Sequence, residues 1–178
     1  MNNIKDRLGI EKYNFLQSLE YFIDNKLIFF GSIQRIDFFK ENSDIDVAII
    51  TDNVSSTIKK LQSFLNIDDN KLRTIVQKIP NKNTIIHAYK TNYTNQDIDL
   101  DMELIIYDSK YKDDILMHIY NINNFPMYIT IPLIILKCFF YKLNIIPSDL
   151  FKYLKVFLMQ NYLKQDLDSD LIAFKLKK

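Results

Sequence analysis

The chain has 178 residues, a formal net charge of +1, and is 48 % hydrophobic and 25 % charged. Those proportions are ordinary for a folded domain and exclude a disordered chain; the near-neutral balance also excludes a dedicated duplex binder with a strongly basic face. The charge is uneven: residues 1–128 carry 15 basic and 18 acidic side chains, residues 129–178 carry 8 and 4. That excess leaves room for a weak nucleic-acid contact through the C-terminal helices. Cys138 is the single cysteine, so no internal disulfide forms and a reducing, cytoplasmic setting is expected. Residues 1–13 lack the basic-then-apolar order of a signal peptide. The most apolar stretch, residues 129–140, is interrupted by Pro132 and Lys137 and is too short for a bilayer, so no membrane partner is expected.

In chain order, Ile4, Leu8, Tyr13, Phe15, Leu16, Leu19 and Phe22 fall near helical spacing and predict one amphipathic helix over residues 4–25. Leu27–Phe30 reads as a strand ended by Gly31-Ser32, and Val47–Ile50 as a second strand entered through Ser43-Asp44-Ile45-Asp46. A helix over residues 54–67 follows, with Asn53 as its cap and Ile58, Leu61, Phe64 and Leu65 inside. Residues 72–79 predict a strand stopped by Pro80 and the turn Asn81-Lys82-Asn83, residues 84–90 another, and residues 91–96 a polar loop. Residues 97–107 alternate throughout, with Ile98, Leu100, Met102, Leu104 and Ile106 on one face and Asp97, Asp99, Asp101 and Glu103 on the other. A helix over residues 111–120 comes next. Residues 131–143, apolar on nearly all sides, predict a buried helix. A last helix opens at Pro147-Ser148-Asp149, with Leu163 among its inward residues, and Lys137, Lys142, Lys152, Lys155 and Lys164 of these C-terminal helices are expected on a solvated face. The order predicts an α+β core over residues 1–108, a mixed sheet with flanking helices, and a helical region over residues 109–178 packed on it.

Two stretches carry chemistry. Alternation along a strand puts Asp44 and Asp46 on the same side, about 7 Å apart along the backbone. Two neighbouring carboxylates at the mouth of an apolar strand repel unless a cation lies between them, and a divalent metal is the simplest such cation. The acids of residues 97–103 have a plainer reading, an edge strand whose charges prevent sheet-to-sheet association. Brought beside Asp44 and Asp46, one of them would instead complete a three-carboxylate cup suited to Mg²⁺, a hard ion that prefers oxygen.

The ordered set Gly31-Ser32, Arg35, Asp44-Ile45-Asp46 and an acid on a later strand resembles the nucleotidyltransferase superfamily that includes DNA polymerase beta, over about residues 25–108. The resemblance implies a mixed-sheet core and transfer of a nucleoside monophosphate from a nucleoside triphosphate, such as ATP, to a hydroxyl, using a pair of Mg²⁺ ions, with Mn²⁺ as a substitute. It places Asp44 and Asp46 on the metals with Asp101 as the third acid, Asp99 and Glu103 remaining open alternatives on the same face. It also sets Gly31, Ser32 and Arg35 at the nucleotide phosphates. Glycine lets backbone approach phosphate closely, and a following turn of N–H groups forms an anion nest. Two departures stand out: Ile36 follows Arg35 where many relatives have glycine, and the spacer over residues 33–43 is longer than in the polymerases. The acceptor implied is a small-molecule alcohol, a protein hydroxyl or a nucleic-acid end. The competing class is a catalytically silent member that keeps the fold as a binding or structural subunit.

Overall fold

The computed structural model describes residues 4–78, 85–167 and 174–175, with side chains as far as residue 159. The turn expected at Pro80–Asn83 and the side chains of Leu163 and Lys164 lie outside the described residues. The predicted first helix is two: α1 (Ile4–Leu8) and α2 (Ile10–Ile23) meet at Gly9, whose φ of +84° breaks the helical path. Then come β1 (Leu27–Phe30), β2 (Ile45–Thr51) and α3 (Val54–Leu65). Asn53 caps α3 as expected, its Oδ1 accepting the Ser56 N–H at 3.0 Å.

Strands β3 (Arg73–Lys78), β4 (Ile85–Asn95) and β5 (Leu100–Asp108) follow, then α4 (Lys112–Asn123), α5 (Met127–Lys137), α6 (Ser148–Leu167) and the two-residue β6 (Phe174–Lys175). The sheet is mixed, in the order β1-β2-β5-β4-β3-β6. Among the described strands only β2 and β5 run parallel, with Asp46 beside Glu103 and Ile45 beside Met102.

The two faces of the sheet are built differently. On one, Ile45, Val47, Ile49, Leu100, Met102, Leu104 and Ile106 form a continuous apolar surface under Leu16, Leu19 and Ile23 of α2 and Leu61 and Leu65 of α3. On the other, Ala48, Ile86, Ala88, Ile105 and Tyr107 meet Ile115 and Ile119 of α4. Toward the start of β2 and β5 this second face changes from apolar to acidic.

Three expectations need correction. Residues 91–95, expected as a loop, extend β4: Thr91 pairs with Leu104 and is 2 % exposed, and the Tyr93 ring stacks on Phe15 at 5.9 Å. Threonine and tyrosine suit a half-buried pleat even where the local composition is polar. Residues 97–99 are not strand but the β4–β5 turn, with Asp99 left-handed at φ +49°. The helix expected to be buried on all sides is α5 continued by a π-turn over Cys138–Lys142, and it is covered on one side only. Leu133 and Leu136 are buried, while Ile131, Ile135 and Phe139 remain 46 %, 50 % and 41 % exposed. Among the described residues no single helix is long and apolar enough to cross a membrane.

Candidate active site

β1 ends at Phe30, and a single 3₁₀ turn over Gly31–Gln34 carries Ser32 below the surface. The antiparallel register sets Phe30 opposite Asp46, so the turn begins against that carboxylate. Gly31 has φ +73°, and a Cβ there would stand 2.3 Å from Asp46 Oδ2. A side chain there would have to displace that carboxylate and hold a left-handed φ, which is why glycine stands at position 31.

Asp46 is the electrostatic centre of the acidic end. Burial, then the negative charges of Glu103 and Asp44, push its carboxyl up to about 6, partly opposed by the positive charges of Lys155 and Arg35. Asp44, two residues earlier, is exposed. Tyr141 of the π-turn senses it: burial and the Asp44 charge both raise the Tyr141 hydroxyl.

The three β5 candidates separate cleanly. Glu103 lies beside Asp46 in the parallel register and is partly buried. Asp101, one pleat further out, is exposed; it lines a cavity of about 50 Å³ with Asp44, Lys12 and Lys40, and another of about 120 Å³ with Asp44, Asn92 and Glu103. The shared walls make these one open groove over the end of the sheet. Asp99 sits in the turn and pairs with Lys12 at 3.1 Å.

All the acids are oxygen donors of the kind a hard divalent cation takes. Asp46 in particular is a desolvated carboxylate crowded by two others, which fits a cation held there. The group is nonetheless not gathered: among the described residues no three His, Cys, Asp or Glu side chains are set to hold an ion. Glu103 is engaged instead by Lys90, whose Nζ lies 2.6 Å from Oε2.

Arg35, expected at the nucleotide phosphates, points elsewhere. Its side chain is 5 % exposed, and its Nε and Nη2 donate to Asp37 Oδ1 and Oδ2 at 2.8 and 3.1 Å. Nη1 donates to the Ile122 carbonyl at 3.0 Å, and the guanidinium lies 4.6 Å from the Phe125 ring centre. Lys137, expected on a solvated face, closes the group from α5, donating to the Asp37 carbonyl at 2.7 Å and pairing with Oδ2 at 3.0 Å. Burial raises the Asp37 carboxyl, but the hydrogen bond and charge of Arg35 and the charge of Lys137 outweigh it and hold the group below the ordinary range.

The same loop is tied down at both ends. Asn123 Oδ1 accepts the Gly31 N–H at 2.9 Å, and Arg7 Nη1 donates to the carbonyls of Ile33 and Arg35 at 2.7 and 2.5 Å. Sequence reasoning missed Asp37, Asn123, Lys137, Lys90 and Arg7 in these roles. Asp37 lay within reach as an acid two residues past a lone arginine; Lys137, a hundred residues away, carried no local signal.

The family model for the nucleotidyltransferase domain matches residues 12–134, more than half of the chain, and the protein belongs to that family. The match runs through β5 into α4 and α5. No curated protein matches the chain. Membership carries the general activity of the family, nucleotidyl transfer, and a nucleoside triphosphate as substrate.

Proposed function

We propose that the protein moves a nucleoside monophosphate from a nucleoside triphosphate onto a hydroxyl acceptor, with Mg²⁺ or Mn²⁺ held at the acidic end of the sheet. The observation that carries this reading is Asp46, desolvated, crowded by two acids and pressed against a glycine turn. Asp44 and Asp46 would hold the metal, with Glu103 rather than Asp101 as the third acid, a choice supported by its position beside Asp46 in the strand register. When bound, the ion supplies positive charge to the reacting phosphate and makes the acceptor hydroxyl easier to ionise.

The remaining chemistry falls to the chain. Gly31 and Ser32 let the backbone of the turn approach the phosphates. Arg35 is a positioning residue: by binding Asp37 and the Ile122 carbonyl it fixes the shape of the turn. Lys155 of α6, whose charge reaches Asp46, is placed to meet the phosphates that Arg35 does not. Asp101, at the exposed mouth beside Asp44, is placed to take the proton of an acceptor entering the groove. The acceptor entering it is a small-molecule alcohol, a protein hydroxyl or a nucleic-acid end.

The test incubates the protein with α-labelled nucleoside triphosphates, Mg²⁺ or Mn²⁺, and separate fractions of small molecules, protein and RNA. Label enters one fraction, and Asp46→Asn lowers transfer to about a hundredth or less, in the range for losing one group that stabilises transition-state charge. No transfer into any fraction, and no metal-dependent rise in melting temperature with a triphosphate, would establish the silent binding subunit instead.

A further inference from the structure

Glu103 is already paired. Lys90 reaches it from β4, where Asn92 stands directly opposite Glu103 and Lys90 stands opposite Ile105, one pleat along the same face. The two side chains are 33 % and 27 % exposed, so the pair is partly desolvated rather than a loose surface contact. Its Nζ–Oε2 distance of 2.6 Å is that of a tight, charge-assisted hydrogen bond. At Asp46 the negative charge of Glu103 is the strongest neighbouring charge, and Lys155 and Arg35 oppose it from other elements. The Lys90 ammonium is bound to Glu103 itself.

We propose that Lys90 is a resident cation: it occupies Glu103 in the metal-free protein and competes with the divalent ion for that carboxylate, setting the metal concentration at which the site fills. The inference rests on the reading of the acidic end as a metal site and concerns this chain's own lysine. A divalent ion between Asp46 and Glu103 needs the Glu103 oxygens and brings two positive charges toward the ammonium. Lys90 and the ion therefore exclude each other. Loading requires that the lysine let go, and its flexible four-carbon stem allows this.

The experiment titrates Mn²⁺ into protein without nucleotide at fixed pH and ionic strength, reading free Mn²⁺ by electron paramagnetic resonance, for the wild type, Lys90→Met, Lys90→Arg, Glu103→Gln and Asp46→Asn. Circular dichroism confirms folding, and Lys90→Gln replaces the methionine variant if that one fails to fold. Removal of the ammonium is expected to tighten Mn²⁺ binding about tenfold, the equivalent of one 1.4 kcal/mol step in affinity. Lys90→Arg should bind no more tightly than the wild type, and Glu103→Gln and Asp46→Asn should bind more weakly. A purely structural cross-strand pair would lower the melting temperature of Lys90→Met and leave Mn²⁺ affinity unchanged. That result, or weaker binding, overturns the proposal. If Asp46→Asn loses binding that Lys90→Met retains unchanged, the metal site stands and the role of Lys90 falls. If neither the wild type nor Lys90→Met binds Mn²⁺, both fall together. Binding acquired by Lys90→Met where the wild type shows none supports the competition.

Discussion

The two faces of the sheet share the same strands yet answer to different demands. Under α2 and α3 every inward position from Ile45 to Ile49 and from Leu100 to Ile106 is apolar and closed. Under α4 the same strands are apolar only at one end, and at the other they present Asp46 and Glu103 side by side. The first face holds the fold together; the second keeps an arrangement that costs stability. Such local conflict between good packing and retained polar groups is what functional sites leave in a fold. The buried Arg35–Asp37–Lys137 group joins the two regimes, because it fixes the glycine turn at the acidic end while being as enclosed as the apolar core.

The largest effect should come from that junction. Asp37→Ala leaves two buried cations without their carboxylate and is expected to cost about 3–5 kcal/mol, read by urea unfolding. A loss under about 1 kcal/mol would show that the group does not anchor the turn.

Next is Gly31→Ala, which combines a left-handed φ with a Cβ driven into Asp46 Oδ2. It should cost about 2 kcal/mol or more. The same change made in an Asp46→Ala background should cost less, because the nearest atom left at that position is the residue 46 Cβ, 3.6 Å away. Equal costs in the two backgrounds would mean that the contact between turn and strand does not matter.

The smaller effect at Asp46 has the opposite sign from the core. Its carboxyl rises from 3.8 to about 6 on folding, so between these values the folded state binds more protons than the unfolded chain. Stability from this group is present below about pH 4 and is lost as pH climbs through about 6. Asp46→Asn should therefore stabilise the metal-free protein by on the order of 1–3 kcal/mol above pH 7 and by little at pH 4. On the α2/α3 face no substitution to a polar residue should stabilise at any pH. Smallest of all, Lys12→Ala breaks an exposed pair with Asp99 and should change stability by less than about 0.5 kcal/mol.

What could be read from sequence follows the range of the interactions. The Asn53 cap and the Gly31-Ser32 turn express themselves within a few residues and stand where expected; alternation also found β2 and β5, but began β5 at Asp97 where the strand starts at Leu100. It put Asp101 and Glu103 on one face, but which of them lies nearest Asp46 depends on the pairing of β5 with β2, which sets Glu103 beside it. Lys137 looked like a surface lysine since its partner is a hundred positions away. The apolar run of α5 gave no hint of which side its neighbours would leave open.

The proposed function depends most on whether the acidic end of the α4 face takes a divalent cation. Paramagnetic broadening of backbone amide signals by substoichiometric Mn²⁺ tests it most directly. Broadening confined to the neighbourhood of Gly31–Gln34, Asp44–Asp46 and Asp101–Glu103, and abolished in Asp46→Asn, is the predicted result. Broadening centred on other acids, such as Asp68 and Asp69 or the turn at Asp97–Asp99, or unchanged by Asp46→Asn, would contradict it.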